Sequence, residues 1–212
     1  MAQVKKAKPV GIIGGTFDPV HNGHLRVAEE MAEFFGLKEI RLMPCHQPVH
    51  RDAPMVSPEH RRKMLELAIA DSKVLKVDCR ELERKGLSYT IDTLRELRQE
   101  LGEKTPIYFA MGTDAFNAID TWKKWKKLFD LANIVVIHRP GAELAVHSDF
   151  VRSRMAWFSG EHEAAGRVYE LTVSPLAISS TQIRRLLAFE RSIKYLLPES
   201  VEKYIYKNKL YH

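Results

Sequence analysis

Five short, predominantly apolar runs alternate with helical patterns along this chain of 212 residues, and they constrain its fold more than any other feature. Such runs indicate strands that are buried on both faces, because a strand with one solvated face alternates apolar and polar side chains. The runs cover residues 10–13, 39–43, 74–77, 107–111 and 134–137. The sequence therefore predicts an α/β fold, namely a Rossmann-like, doubly wound parallel sheet with helices on both faces.

The starts and ends of several helices are marked by their terminal residues. Serine before proline is a strong start signal, because the serine side chain caps the first turn and proline has no N–H to leave unpaired. Glycine after an apolar helical pattern is a stop signal. Helix starts are predicted at Ser57-Pro58, at Ser179 and at Pro198, and helix ends at Gly36 and Gly102. Residues 141–167 show no clear periodicity, so no element is predicted there.

Composition excludes several classes of protein. Hydrophobic residues make up 45% and charged residues 28%, which is typical of a globular chain and not of a disordered one. The two cysteines, Cys45 and Cys79, provide no disulfide framework. No run of about 18 apolar residues is present and no signal-peptide pattern follows the N-terminal lysines, so we expect a cytoplasmic protein.

The domain organisation is predicted to be simple. No linker-like segment or internal repeat divides the sequence, so we expect a single domain over residues 1–212. Within it, residues 1–9 are expected to form a flexible N-terminus and residues 178–212 a C-terminal helical part.

The chain is mildly basic, with 33 Lys and Arg against 27 Asp and Glu and a formal net charge of +6. This charge suits anionic ligands, which include both nucleotides and nucleic acids. The basic run at residues 123–127 is typical of a solvated helix face, and Trp125 within it is a candidate core residue. A nucleic-acid-binding module is the alternative from a different class, but no helix-turn-helix, RNA-recognition or zinc-finger pattern supports it.

Ligands of doubly wound sheets bind outside the carboxyl ends of the strands. In this chain the rule selects residues 14–24, 44–51, 111–114 and 138–139 as the mouth of a site.

The first of these segments is the most informative. Two glycines after a strand allow the backbone to approach a ligand closely, and the N-terminus of the next helix favours negative charge. His21 and His24 share one face of its first turn, with the small Gly23 between them, and form a cradle for charge that develops in phosphoryl or nucleotidyl transfer.

Other interpretations of the paired histidines are a metal site or simple helix capping. Zinc requires further ligands, and the sequence identifies no third one. The segment is neither a dinucleotide G-x-G-x-x-G motif nor a Walker P-loop, since no Gly-Lys-Ser/Thr occurs in the chain.

Two terminal motifs resemble a known superfamily. Residues 14–25 resemble the GTFDPxHxGH motif of the nucleotidyltransferases with the H-x-G-H signature, and residues 178–184 resemble their second motif, I-S-S-T-x-I-R. Shorter motifs lie between them in the order seen in bacterial nicotinate-nucleotide adenylyltransferases: Pro48-Val49-His50-Arg51, Ser88-Tyr89-Thr90, Gly112-Thr113-Asp114, Thr121-Trp122 and His138-Arg139-Pro140. The resemblance to that family extends over nearly the whole chain, although the family often has Pro-Pro-His where this chain has Pro48-Val49-His50.

The resemblance implies adenylyl transfer from ATP to nicotinate mononucleotide, giving deamido-NAD and pyrophosphate in NAD biosynthesis. The acceptor phosphate would attack the α-phosphorus directly and in line, with Mg²⁺ bound together with ATP. The catalytic residues would be His21, His24 and Arg184. The ATP-binding residues would be Gly14, Gly15, Thr16, Phe17, Gly112, Asp114, Arg139, Ile178, Ser180 and Thr181. The pyridine nucleotide would be bound by Thr90, Trp122 and Lys123.

Several alternatives remain open at this point. The acceptor could be nicotinamide mononucleotide or phosphopantetheine, or the fold could carry no activity. Asp18 either orders the first loop through an Asx-type turn before Pro19 or contacts the ligand, and loop ordering is the preferred interpretation. Cys45, His46 and His50 could form a metal trio, although structural sites usually have four ligands. The oligomeric state is not indicated.

Overall fold

The computed structural model describes residues 7–49, 53–84, 86–138, 143–146 and 148–211. Most of the expected flexible N-terminus, residues 1–6, lies outside these ranges. The strands are β1 (Val10–Gly15), β2 (Ile40–Pro44), β3 (Leu75–Val77), β4 (Ile107–Gly112), β5 (Asn133–His138) and β6 (Val168–Thr172). The helices are α1 (Asn22–Phe35), α2 (Pro58–Ala68), α3 (Arg80–Arg84), α4 (Thr90–Leu101), α5 (Thr113–Asn117), α6 (Leu128–Leu131), α7 (Asp149–Arg152), α8 (Ser180–Ala188) and α9 (Glu199–Lys207), with short 3-10 turns at Ile119–Thr121 and Trp125–Lys127.

The six strands form one parallel sheet in the order β3-β2-β1-β4-β5-β6. This is the order of a doubly wound Rossmann-like fold, so the predicted fold class is confirmed. The strand order reverses between β1 and β4, and the loops that follow these two strands diverge there. The crevice at this switch point is where such sheets bind their ligands.

The core lies on both faces of the sheet, as the apolar runs predict. Along β4, Tyr108 and Ala110 belong to one buried cluster, whereas Phe109 and Met111 belong to the other. The first cluster also contains side chains of α1, α2, α8 and α9, and the second contains those of α4, α5, α6 and α7. Each strand in the middle of the sheet therefore buries both of its faces, which explains why its sequence is apolar throughout.

The predicted helix signals have their expected geometry. Gly36 ends α1 with φ of 61°, a left-handed conformation that glycine adopts at little cost. The side chains of Ser57 and Ser179 cap α2 and α8 by accepting hydrogen bonds from the N–H groups of His60 and Gln182. No helix in the described part of the chain is long and apolar enough to cross a membrane.

The sequence prediction missed the sixth strand and the shortest helices. Strand β6 alternates buried and exposed residues, with Glu170 and Thr172 exposed, because it lies at the edge of the sheet. Helix α7 lies within residues 141–167, where no element was expected, and has only four residues. Neither element carries the long apolar signal on which the prediction depended.

Candidate functional site

The loop between β1 and α1 brings the two histidines of the first motif together. His21 is the N-cap of α1 and is buried, and His24 occupies the third helical position. Their rings are stacked, with centroids 3.7 Å apart. The backbone N–H of His21 donates to His24 Nδ1 at 3.3 Å. Because Nδ1 accepts this bond, the ring of His24 in its neutral form carries its proton on Nε2.

Gly23 allows this arrangement because it has no side chain. A Cβ atom there would lie 3.1 Å from His21 Nδ1 and 3.2 Å from His21 Cε1, closer than ordinary contacts. It would also lie 3.6 Å from the carbonyl oxygen of Ile178 in the second motif. The absence of a side chain at Gly23 therefore leaves room for the His21 ring and lets the two motifs approach each other.

The second motif begins α8 and is hydrogen-bonded to the first. Ser180 Oγ donates to the carbonyl of Pro19 at 2.9 Å, across 161 residues of sequence. Arg184 Nη1 donates to the carbonyl of Asp18 at 2.8 Å, and Arg184 Nη2 donates to Thr181 Oγ1 at 3.3 Å. The neighbouring Arg185 is exposed. The structure thus brings His21, His24 and Arg184 to one place.

The N-termini of α1 and α8 share an electrostatic property. Of the nine α-helices in the described ranges, only these two have no acidic side chain in the first turn. Acidic residues normally occupy that position, since they compensate the positive end of the helix dipole. The first turns of α1 and α8 therefore leave the positive ends of their dipoles uncompensated by acidic side chains, which is a feature suited to binding an anion.

The side chain of Asp18 connects the loop after β1 to two segments that are distant in sequence. Its Oδ2 accepts from the N–H of Met55 at 2.8 Å, and its Oδ1 accepts from the hydroxyl of Tyr211 at 2.7 Å. A further contact with Arg184 spans 4.0 Å. Asp18 therefore orders the loop, as the preferred interpretation held, but through distant segments and not through a local Asx turn.

Arg61 is a residue that the sequence analysis missed. Its side chain is fully buried and donates to the carbonyls of Thr16 at 2.9 Å, Cys45 at 2.7 Å and His46 at 3.3 Å. It therefore joins the loop after β1 to the loop after β2. A cavity of about 330 Å³ borders Arg61, His46 and Met55. Its position in the sequence could have revealed it. Arg61 lies three and four residues before Met64 and Leu65, on the apolar face of α2, and a charged side chain on a buried face needs a polar partner.

The three predicted pyridine-binding residues lie near the start of α4. Thr90 is its first helical residue, and Trp122 follows the 3-10 turn at Ile119–Thr121. Lys123 Nζ donates to Asp92 Oδ2 at 3.1 Å and lies 4.1 Å from the centroid of the Tyr89 ring. Trp122 is half-buried against the second core cluster.

Trp125 meets the expectation of a core residue in part. Like Trp122 it is half-buried against the second core cluster. Its ring meets the edge of Phe150, with centroids 5.3 Å apart.

A polar network, buried at Glu81 and Thr93, connects the loop after β2 to α4. Ser88 Oγ accepts from the N–H of His46 at 3.0 Å, and the N–H of Ser88 donates to the carbonyl of Gln47 at 3.0 Å. The carboxyl group of Glu81 is buried beneath this segment and accepts from Thr93 Oγ1 at 2.6 Å. Burial raises the pKa of Glu81 above its usual value, against the opposing effect of the Thr93 and Ser88 hydroxyls.

The remaining predicted ATP-binding residues that the structure describes lie at the ends of β1 and β4 or just after them. Gly14 and Gly15 end β1, and Phe17 is buried with its ring edge-on to His24 at 5.0 Å between centroids. Gly112 is the N-cap of α5, and Asp114 is exposed in its first turn. Arg139 lies outside the described residues.

The proposed Cys45, His46 and His50 metal trio finds no support in the described residues. Cys45 is buried and its thiol donates to Thr16 Oγ1 at 3.9 Å. Burial raises the pKa of this thiol above its usual value. His50 lies outside the described ranges, within which no group of three His, Cys, Asp or Glu side chains could hold a metal ion.

Comparison with known proteins identifies the family of this chain. The cytidylyltransferase-like family profile matches residues 12–186. A curated protein named as a probable nicotinate-nucleotide adenylyltransferase, from Hahella chejuensis, is 43% identical with 98% of each chain covered. Another of that name, from Methylococcus capsulatus, is 46% identical and covers 95% of this chain and 99% of its own. The structure of Plasmodium falciparum nicotinic acid mononucleotide adenylyltransferase complexed with NaAD superimposes with a TM-score of 0.73 at 24% identity, over 96% of this chain and 97% of that chain. The resemblance inferred from the motifs is confirmed.

Proposed function

This chain belongs to the cytidylyltransferase-like family and is a nucleotidyltransferase, and we propose that it transfers the adenylyl group of ATP to nicotinate mononucleotide. The products are deamido-NAD and pyrophosphate, and the reaction is a step of NAD biosynthesis. The proposed compartment is the cytoplasm.

One observation in the structure carries the proposal. The N-termini of α1 and α8, both without acidic side chains in the first turn, meet at a stacked histidine pair and an arginine. Such a concentration of donors and positive potential suits a triphosphate that gains charge as a bond to phosphorus breaks. The similarity to relatives named as nicotinate-nucleotide adenylyltransferases supplies the acceptor.

The chemistry requires alignment and charge stabilisation, and no covalent intermediate. A phosphate oxygen of nicotinate mononucleotide forms a bond to the α-phosphorus of ATP. The bond from that phosphorus to the bridging oxygen breaks, and pyrophosphate leaves with the electron pair. The acceptor phosphate is already anionic, so the protein does not need a strong base.

In this proposal His24 donates from Nε2 to an oxygen of the transferring phosphate, since its Nδ1 is held by the backbone of His21. Arg184 uses two of its N–H groups to hold its place against Asp18 and Thr181, and its remaining N–H groups bind the β- and γ-phosphates. The backbone of residues 14–17, the N–H groups of Ser180 and Thr181 at the start of α8 and the hydroxyl of Thr181 complete the phosphate site, while the Ser180 hydroxyl ties α8 to Pro19. Asp114 binds the ATP ribose.

We propose that the nicotinate ring of the acceptor binds near the start of α4. We assign Trp122 as the face on which the nicotinate ring stacks and Thr90 as a donor to its carboxylate. The cation of Lys123 adds favourable potential there, although it is shared with Asp92. A pocket that pairs a carboxylate discriminates against the amide, because the amide leaves its donors unpaired.

Magnesium is proposed to arrive bound to the triphosphate of ATP. Asp18, the buried carboxylate of the first loop, is already bonded to Tyr211 and Met55. Mg²⁺ typically takes few protein carboxylates and keeps waters and substrate phosphates as ligands. The residues described therefore fit an ion that is delivered with its substrate.

The test is pyrophosphate release from ATP and Mg²⁺ with three acceptors compared: nicotinate mononucleotide, nicotinamide mononucleotide and phosphopantetheine. We expect strong preference for the first. Preference for one of the other two would retain the chemistry and overturn the acceptor. Absence of release with all three, in protein that unfolds cooperatively, would refute the proposed activity.

A further inference from the structure

The C-terminal segment of the chain is folded back into the protein next to the first motif. After α9, Lys209 adopts a left-handed conformation with φ of 49°. The N–H of Leu210 donates to the carbonyl of Ile205 at 3.1 Å, and the N–H of Lys209 donates to the carbonyl of Tyr206 at 3.3 Å. This pair of bonds is a Schellman motif, which reverses the chain at a helix end. As a result Leu210 and Tyr211 are both buried, each only 7% exposed.

Tyr211 ends this reversal with a bond that spans 193 residues. Its hydroxyl donates to Asp18 Oδ1 at 2.7 Å in a buried environment. Burial and the neighbouring Asp18 carboxylate both raise the pKa of the Tyr211 phenol, so it remains a donor at any working pH. The backbone of Tyr211 has φ of 67°, a left-handed conformation that a residue with a large side chain rarely adopts. The surrounding contacts hold this tyrosine in an otherwise unfavourable position.

Asp18, which accepts the hydrogen bond from Tyr211, also accepts one from Arg184. The carbonyl of Asp18 accepts from Arg184 Nη1 at 2.8 Å, while its carboxylate lies 4.0 Å from that guanidinium. The Asp18 carboxylate is instead bonded to Tyr211 and to the N–H of Met55. Without the Tyr211 hydroxyl, a buried carboxylate oxygen would lose its partner. Within the part of the chain that the structure describes, Arg184 is the cation that lies within 4.0 Å of this carboxylate.

We propose that Tyr211 is a positioning residue for the transfer reaction: by saturating the Asp18 carboxylate, it keeps Arg184 directed at the triphosphate. Asp18 is three residues before His21 and next to Pro19, whose carbonyl binds Ser180. The same bond therefore also sets the distance between the histidine pair and the start of α8. This inference rests on the proposed function for the role of Arg184, although the bond itself does not.

The experiment compares Tyr211→Phe with Tyr204→Phe. Tyr204 is a matched control, because its hydroxyl also makes one bond from the C-terminal part of the chain, to His60 Nδ1 at 2.9 Å, and that bond does not involve the first motif. Each variant loses a single hydroxyl. Thermal unfolding of both identifies any general loss of stability.

Steady-state pyrophosphate release is measured with ATP and nicotinate mononucleotide varied separately. For Tyr211→Phe we expect kcat/KM for ATP to fall on the order of ten-fold, as for a misplaced catalytic group, and KM for nicotinate mononucleotide to change by less than about two-fold. Tyr204→Phe is expected to match the wild type. In an Arg184→Ala background Tyr211→Phe should cause little further loss, because the two act through one contact. Full additivity, or equal effects of both tyrosine variants, would overturn the proposal.

Calorimetric binding of α,β-methylene ATP with Mg²⁺ separates this inference from the proposed function, since it needs no acceptor. If the wild type shows no transfer and Tyr211→Phe still binds the analogue more weakly than Tyr204→Phe does, then the positioning role stands and the proposed function fails. If the wild type turns over and both variants match it in kinetics and binding, then the positioning role fails and the proposed function stands.

Discussion

Replacement of Arg61 by methionine tests whether one buried cation holds the loops after β1 and β2 together. The Arg61 guanidinium lies in the interior and donates to three backbone carbonyls, those of Thr16, Cys45 and His46. No carboxylate in the described ranges forms an ion pair with it within 4.0 Å. Methionine has a similar length and fills much of the space, so the substitution removes the donors with little change in packing.

The size of the effect follows from these contacts. A buried carbonyl that loses its partner costs about 1–3 kcal/mol, and three carbonyls are affected. Part of the loss is offset, because the desolvated charge of Arg61 is removed as well. We therefore expect the free energy of unfolding to fall by about 3 kcal/mol, which in a chain of this size lowers Tm by roughly 6–12 °C.

The assay is thermal unfolding together with steady-state kinetics, and the control is Arg62→Met. Arg62 is the next residue, its side chain is 55% exposed, and it forms an ion pair with Glu66 at 2.7 Å on the surface of α2. Loss of an exposed pair costs at most about 1 kcal/mol. We expect Arg61→Met to lower both Tm and kcat, and Arg62→Met to lower neither appreciably. Equal Tm values for the two variants would refute the reasoning, because the three carbonyls would then be satisfied without Arg61.

Three further predictions concern the site and its surroundings. His24→Ala should lower kcat by on the order of 10²–10³ with little change in Tm, measured by pyrophosphate release, and near-normal turnover would remove His24 from the mechanism. Trp122→Ala should raise KM for nicotinate mononucleotide far more than KM for ATP, because stacking is lost on one substrate; equal changes would make Trp122 a core residue only. The raised pKa of Glu81 means that the folded state binds its proton more tightly than the unfolded state. This residue's contribution to stability should therefore decrease as the pH rises from the ordinary carboxyl range through the raised pKa, and Glu81→Gln should abolish that component. Urea unfolding of both proteins over weakly acidic to neutral pH measures the difference, and a difference independent of pH would contradict the assignment.

The central strands and the major helices could be predicted from the sequence because their signals are local. A strand such as β4, buried on both faces, is apolar at nearly every position, and Gly36 and Ser57 mark helix ends by their own backbone and side-chain chemistry. Strand β6 was missed because an edge strand is solvated on part of its surface, and Glu170 and Thr172 interrupt its apolar pattern.

The two tryptophans show the limit of spacing as evidence. Trp122 and Trp125 are three residues apart, and the sequence analysis assigned the first to ligand binding and the second to the core. The structure leaves both half-buried against the same core cluster. Burial depends on which elements pack against the turn, here including Phe150 from α7, and that information is not local.

The sequence by itself determined the chemical groups of the candidate site, since the motif that begins at Gly14 and the one that ends at Arg184 can be read directly from the residues. It also predicted that the site lies at one edge of the sheet, because the carboxyl ends of parallel strands meet there. Only the tertiary structure decided how these groups are held. Arg61 joins two loops, and Asp18 joins Tyr211 to Arg184, through bonds between segments far apart in sequence. A buried polar group must find some partner, but the local sequence does not specify which one, because only the packing of the complete chain brings the candidates within reach.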